Sequence, residues 1–136
     1  MRMIFVNLPV KSVEASRRFF GALGFTFNAQ FSDANTASMV IEENIVAMLL
    51  EEERFQGFIN GDIADAAKGK EVLIALSCNS RQEVEETQAK ALAAGAKPWK
   101  PPQDHEGFMY GTSFQDLDGH VWELVWMNPA AIQPQA

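Results

Sequence analysis

Two periods of apolar residues alternate along this chain, and the switches between them mark its elements. Ile4-Phe5-Val6-Asn7-Leu8 reads as a strand. Ser12 then stands at a helix N-cap with Glu14 placed for the helix dipole. Val13, Phe19, Phe20 and Leu23 recur at helical spacing until Gly24 supplies a stop. Strands are predicted over residues 25–31, 37–41 and 45–50, with Glu43-Asn44 as the turn between the last two. The second half repeats this order. A strand over 72–78 leads to the capping-box pattern Ser80-Arg81-Gln82-Glu83. Val84, Thr87, Ala91 and Leu92 mark the buried side of a helix that Gly95 closes, and strands follow over 96–100, 108–114 and 121–127. Asn79-Ser80 stands to this strand and helix as Lys11-Ser12 stands to the first pair, so two βαβββ units in tandem are the simplest reading.

The first unit covers about residues 1–51 and the second about 71–128, with a polar, glycine-bearing linker over 52–70 and a tail over 129–136. A short helical stretch is expected around 63–67. Pro98, Pro101 and Pro102 make the segment 98–107 a loop or an edge strand. The tail has nothing to pack against and is expected to fray.

Composition narrows the partners. Eighteen acids against 11 bases give a formal charge of −7, with no Lys/Arg run. Nucleic acid and anionic membranes are therefore poor partners. A single cysteine, Cys78, excludes an internal disulfide and fits a reducing compartment. The apolar run at 3–6 is broken by Asn7 and Pro9, too short for a signal peptide or a span. A cytoplasmic, soluble protein is expected.

The most informative segment is Phe114-Gln115-Asp116-Leu117-Asp118-Gly119-His120-Val121-Trp122-Glu123-Leu124. Asp116, Asp118 and Gly119 suit a tight turn between two strands. Glu123 does not suit the strand it sits in. It lies between Trp122 and Leu124 and must point to the opposite face, where an acid is expensive without a partner.

The βαβββ repeat, the opening Phe5-Val6-Asn7-Leu8-Pro9-Val10 with Glu14-Ala15-Ser16-Arg17-Arg18-Phe19-Phe20, the Leu23-Gly24-Phe25 step and the Asp116-to-Leu124 ending together resemble the vicinal oxygen chelate superfamily. That group includes glyoxalase I, the fosfomycin- and bleomycin-resistance proteins and the extradiol dioxygenases. The resemblance covers about residues 1–128. It implies an α+β fold in which two βαβββ modules curl into an incomplete mixed β-barrel with helices outside, a cup that holds a divalent metal and a substrate, and a homodimer. Carried over position by position, the metal ligands of the glyoxalase-like members fall on Phe5, Met48, Leu73 and Glu123. Only Glu123 suits a hard divalent ion, since Phe and Leu have no lone pair to give and a Met thioether is soft.

Strand parity assigns residues to the cup. Phe5, Asn7, Met48, Leu73 and Val125 face inward with Glu123. If Phe114 pairs with Val121, Tyr110 and Thr112 join them, and a one-residue slip would reverse that. The cup is then an apolar small-molecule site with sparse polar points. In it Glu123 accepts a hydrogen bond from the ligand or, with its pKa raised by desolvation, acts as a general base. The plain alternative is a filled core in which Tyr110 or Thr112 satisfies Glu123. His105, on the loop Asp104-His105-Glu106-Gly107, is a weak second metal candidate. His120 is expected to be an exposed turn residue and Cys78 a buried inert thiol. Three functions follow: a small-molecule-binding protein of the glyoxalase/bleomycin-resistance type without a metal cofactor, a metal-dependent lyase or dioxygenase of the same superfamily, or a non-catalytic assembly domain.

Overall fold

The structure is a computed structural model that describes residues 1–131, so the expected fraying over 132–136 lies outside the described residues. The chain divides into two compact units, Met1–Asp65 and the remainder from Ala66.

Unit 1 contains β1 (Ile4–Val10), α1 (Val13–Ala22), β2 (Thr26–Phe27), β3 (Thr36–Glu42), β4 (Ile45–Glu51) and the short α2 (Glu52–Gln56). Its sheet order is β1-β4-β3-β2, with β1 parallel to β4 and the other neighbours antiparallel. Ser12 caps α1 by accepting the Ala15 N–H at 3.1 Å. Glu51, at the end of β4, accepts the Val13 N–H at 3.2 Å and so ties the helix start to the sheet. Gly24 follows the helix at φ +102°, a conformation that glycine adopts without strain. Because Glu51 reaches α1, the helix covers the face that also carries Leu8, Val10, Ala37, Met39, Ala47 and Leu49, all buried. Val13, Phe19 and Phe20 press onto it from α1. Each such side chain contributes about 1.5–3 kcal/mol. That packing, rather than helix propensity, holds a ten-residue helix in place.

Unit 2 contains β5 (Leu73–Ser77), α3 (Arg81–Ala93), β6 (Lys97–Pro98), β7 (Gln103–Asp104), β8 (Met109–Gln115) and β9 (Val121–Met127). The order β5-β9-β8-β6 reproduces that of unit 1, with β7 added beside β8. Ser80 caps α3 by accepting the Glu83 N–H at 3.0 Å, and Gly95 ends it at φ +112°. The Tyr110 hydroxyl donates to Glu85 of α3 at 3.2 Å, which marks the helix-covered face as that of Tyr110, Thr112, Phe114, Trp122 and Leu124. The fold is thus α+β, two βαβββ units whose sheets do not close into barrels.

Several boundaries differ from the sequence reading. The strand expected over 25–31 shortens to Thr26–Phe27, because Asn28 caps a 3-10 turn at Ala29–Phe31. The helix expected around 63–67 is absent there; the linker's helix is Glu52–Gln56, directly after β4. The strand expected over 96–100 is Lys97–Pro98, beyond which Pro101 and Pro102 cannot donate to a ladder. On α3, Val84 and Ala91 are buried as expected, whereas Leu92 lies exposed.

Candidate functional site

The turn after β8 is an anchor. The Asp116 carboxylate accepts from the Asp118 and His120 N–H groups at 2.9 and 3.0 Å and from the Trp122 indole N–H at 2.9 Å. Burial pushes the Asp116 carboxyl upward, while the neighbouring His120 charge and these donors pull it back. Gly119, at φ +89°, lies against the chain at Ala66 and Ala67, whose backbone comes within 2.9 Å of where a Cβ would stand. Lys70 fastens that segment. Its ammonium donates to the carbonyls of Ala66 and Gly119 and, at 3.0 Å, to the Gln115 side chain, and it stands 5.2 Å from the Trp99 ring centroid. His120, expected at the surface, is buried, because the strap at 66–70 encloses the turn.

Beyond this turn, the register of β8 on β9 decides which residues accompany Glu123. Phe114 pairs with Trp122 and Gln115 with Val121, one residue away from the expected pairing. Ser113 therefore stands opposite Glu123, and Tyr110 and Thr112 belong to the helix-covered face. Their placement beside Glu123 is corrected accordingly. Neither satisfies the acid: burial, then Glu85, raise the Tyr110 hydroxyl's pKa, and Arg81 stacks on its ring at 4.3 Å. On the face away from α3, the row through Glu123 reads Ala75, Glu123, Ser113, with Val121 and Val125 beside it along β9. Leu73 lies on the same face, one row over, opposite Val121. Glu123 is half-buried and, among the described residues, has no hydrogen-bond or ion-pair partner.

The corresponding face of unit 1 carries the row Asn7, Met48, Ser38. Next to it lie Phe5 with Val46, and Leu50 with Thr36. Met48 is half-buried, while Phe5 is 53% exposed and Asn7 is exposed. Ser38 and Thr36 are buried, and the Thr36 hydroxyl has no hydrogen-bond partner among the described residues. The sequence reading missed both, although their alternation with Ala37 and Met39 was the signal that could have placed them on this face.

The four positions to which the resemblance assigns metal ligands are thus all on the faces opposite the helices, as parity requires, but their chemistry does not fit an ion. Glu123 is the one hard donor among them. Among the described residues, no three His, Cys, Asp or Glu side chains come together as a metal-holding group. His105 sits exposed in the turn between β7 and β8, where its N–H donates to the Met109 carbonyl at 2.8 Å. Cys78 is half-buried, with its pKa pushed up to about 11 by burial and then by Glu83, which makes it a poor nucleophile.

Comparison with known proteins agrees with this topology. The family model of the Glyoxalase/Bleomycin resistance protein/Dioxygenase superfamily matches residues 2–124. A hypothetical protein, SA1046 from S. aureus, is 30% identical, with 93% of this chain and 94% of that one covered at a TM-score of 0.78. A glyoxalase/bleomycin resistance protein/dioxygenase family enzyme from Burkholderia phytofirmans PsJN is 16% identical, with 94% and 100% covered at a TM-score of 0.77. The fosfomycin resistance protein FosX from Listeria monocytogenes is 18% identical, with 96% and 97% covered at a TM-score of 0.69. No curated protein sequence matches the chain.

Proposed function

The chain belongs to the Glyoxalase/Bleomycin resistance protein/Dioxygenase superfamily, and within it we propose that this protein binds a small, partly apolar molecule without a metal cofactor. The observation that carries this reading is the half-buried Glu123 carboxylate, without a partner among the described residues at the one implied metal-ligand position that holds a hard donor. A lone carboxylate is too little to hold a divalent ion, yet it is enough to orient an organic ligand on an apolar surface. The proposed ligand-contacting residues on the open face of unit 2 are Leu73, Val125 and Glu123, and those on the matching face of unit 1 are Phe5, Asn7 and Met48, each face taken by itself. Glu123 takes a hydrogen bond from the ligand, and in a catalytic variant of this reading it takes a proton.

A homodimer and a cytoplasmic location complete the proposal. The first strand of each unit is a sheet edge, and it exposes apolar side chains: Ile4 and Phe5 on β1 are 54% and 53% exposed, and Leu73 on β5 is 53% exposed. Edges of that kind invite pairing with another chain. No helix among the described residues is long and apolar enough to cross a membrane.

Elemental analysis of the purified protein is expected to find no stoichiometric metal; tightly bound zinc, nickel or iron at one per chain would favour a metal-dependent lyase or dioxygenase instead. A thermal-shift screen with planar aromatic and thiol-conjugate compounds is expected to give stabilisation. At a hundredfold excess over the dissociation constant the effect is about 2.7 kcal/mol. A screen in which nothing stabilises the fold would leave the assembly role as the better account.

A further inference from the structure

Building on the small-molecule reading above, we infer that Glu123 receives the positive end of an organic cation, a primary or secondary ammonium carried on an apolar or aromatic body.

The other strand acids that are not fully exposed to water, or that lie beside a basic group, are provided for, while Glu42 at the end of β3 is exposed. Glu51 takes the Val13 N–H at 3.2 Å, and Asp104 takes the Arg81 guanidinium at 2.6 Å. The buried turn acid Asp116 takes three donors. Glu123 is half-buried with none among the described residues, which leaves its oxygens open to a donor from outside the chain. The surroundings define what kind of donor. Of its row neighbours, Ala75 is small and exposed, whereas Ser113 is buried, its hydroxyl accepting the Lys100 N–H at 3.0 Å, so the open side of the carboxylate is toward Ala75. Val121 and Val125 flank it along β9 and offer apolar contact to the body of a ligand.

Charge selects the sign. The basic residues toward this face are Lys97, at the β6 edge opposite Gln115 and two strands from β9, and Lys100, whose N–H donates to Ser113 while its ammonium stands 5.9 Å from the Trp99 ring centroid. The nearby Lys70 ammonium is occupied by three oxygens. An anionic ligand would meet a bare carboxylate in a chain of net charge −7, whereas a cation is drawn to both. The same acid cannot serve a divalent ion for want of further ligands. An ammonium, which needs one counter-charge and an apolar wall, is within its means.

The test is titration of the full-length protein, followed by heteronuclear NMR, with three probes of one shape: benzylamine, benzyl alcohol and benzoate. Benzylamine is expected to shift resonances around Glu123, Ala75 and Ser113 and to bind at least tenfold more tightly than benzyl alcohol, with benzoate weakest. Its affinity should fall as salt rises, a readout that needs no variant. Glu123→Gln, which keeps the shape of the side chain, is expected to bring benzylamine down to the level of the alcohol and leave the alcohol unchanged. Equal binding of amine and alcohol to the native protein, or amine binding that survives both salt and Glu123→Gln, overturns the cation assignment and leaves small-molecule binding standing. No shift with any of the three overturns the cation assignment, and the small-molecule reading then stands or falls on the thermal-shift screen. Stoichiometric metal on Glu123 overturns both.

Discussion

The two units share one scaffold and fill it differently. In each, a serine caps the helix, a glycine at φ above +100° ends it, and the first strand lies parallel to the last. The registers also coincide row by row: Asn7, Met48 and Ser38 in unit 1 stand where Ala75, Glu123 and Ser113 stand in unit 2. The serine is kept, while the central position changes from a thioether to an acid. The edge position changes too, from the Asn7 amide to the Ala75 methyl, so the acid enters a duplicated frame whose backbone is indifferent to it. The units also differ in their last turn. Unit 1 passes through Glu43-Asn44 with a register shift between Val40 and Glu42. Unit 2 builds a buried acid, a close-packed glycine and a lysine clasp into the same place.

That second difference yields the largest expected effect. Gly119→Ala would drive a Cβ to within 2.9 Å of the Ala67 backbone at a left-handed φ, and should destabilise by about 3 kcal/mol or more. Gly24→Ala meets nothing within 4 Å and should lose only the left-handed penalty, about 1 kcal/mol. Chemical denaturation of both variants checks this, and equal losses would mean that the strap against Gly119 adds nothing.

Asp116→Ala should cost about 2–3 kcal/mol, because the Asp118 and His120 N–H groups and the Trp122 indole N–H all lose the carboxylate they share in a buried turn. A loss of only a few tenths in the same assay would reduce the turn to ordinary loop chemistry.

The caps give the smallest effect and the closest test of equivalence. Ser80→Ala should cost about 1 kcal/mol. Ser12→Ala should cost no more than that, since Glu51 still holds the Val13 N–H at the same helix end. A larger loss for Ser12→Ala than for Ser80→Ala would show that Glu51 does not share the capping of α1.

Much of the repeat was legible from local chemistry. Ser12, Ser80, Gly24 and Gly95 act within one helical turn of themselves, so their roles can be read from the chain alone. The parity of β1, β4, β5 and β9 was equally legible, and it placed Phe5, Asn7, Met48, Leu73 and Glu123 opposite the helices. The neighbours of Glu123 were not. Whether Ser113 or Thr112 faces it depends on how five residues, Asp116 to His120, are spent in closing the hairpin. A single step there exchanges the two faces. His120 escaped for a related reason: the strap that buries it comes from residues 66–70, which no local pattern connects to the turn.

The amino-acid sequence by itself thus determined the helix ends, the order of strands and the presence of one acid among apolar strand positions, because each depends on contacts a few residues away. Only the tertiary structure decided that Glu123 has no partner among the described residues, that Tyr110 donates to Glu85 instead, and that the last turn is enclosed. Those outcomes depend on register and on contacts between segments dozens of residues apart, where a shift of one residue changes every neighbour.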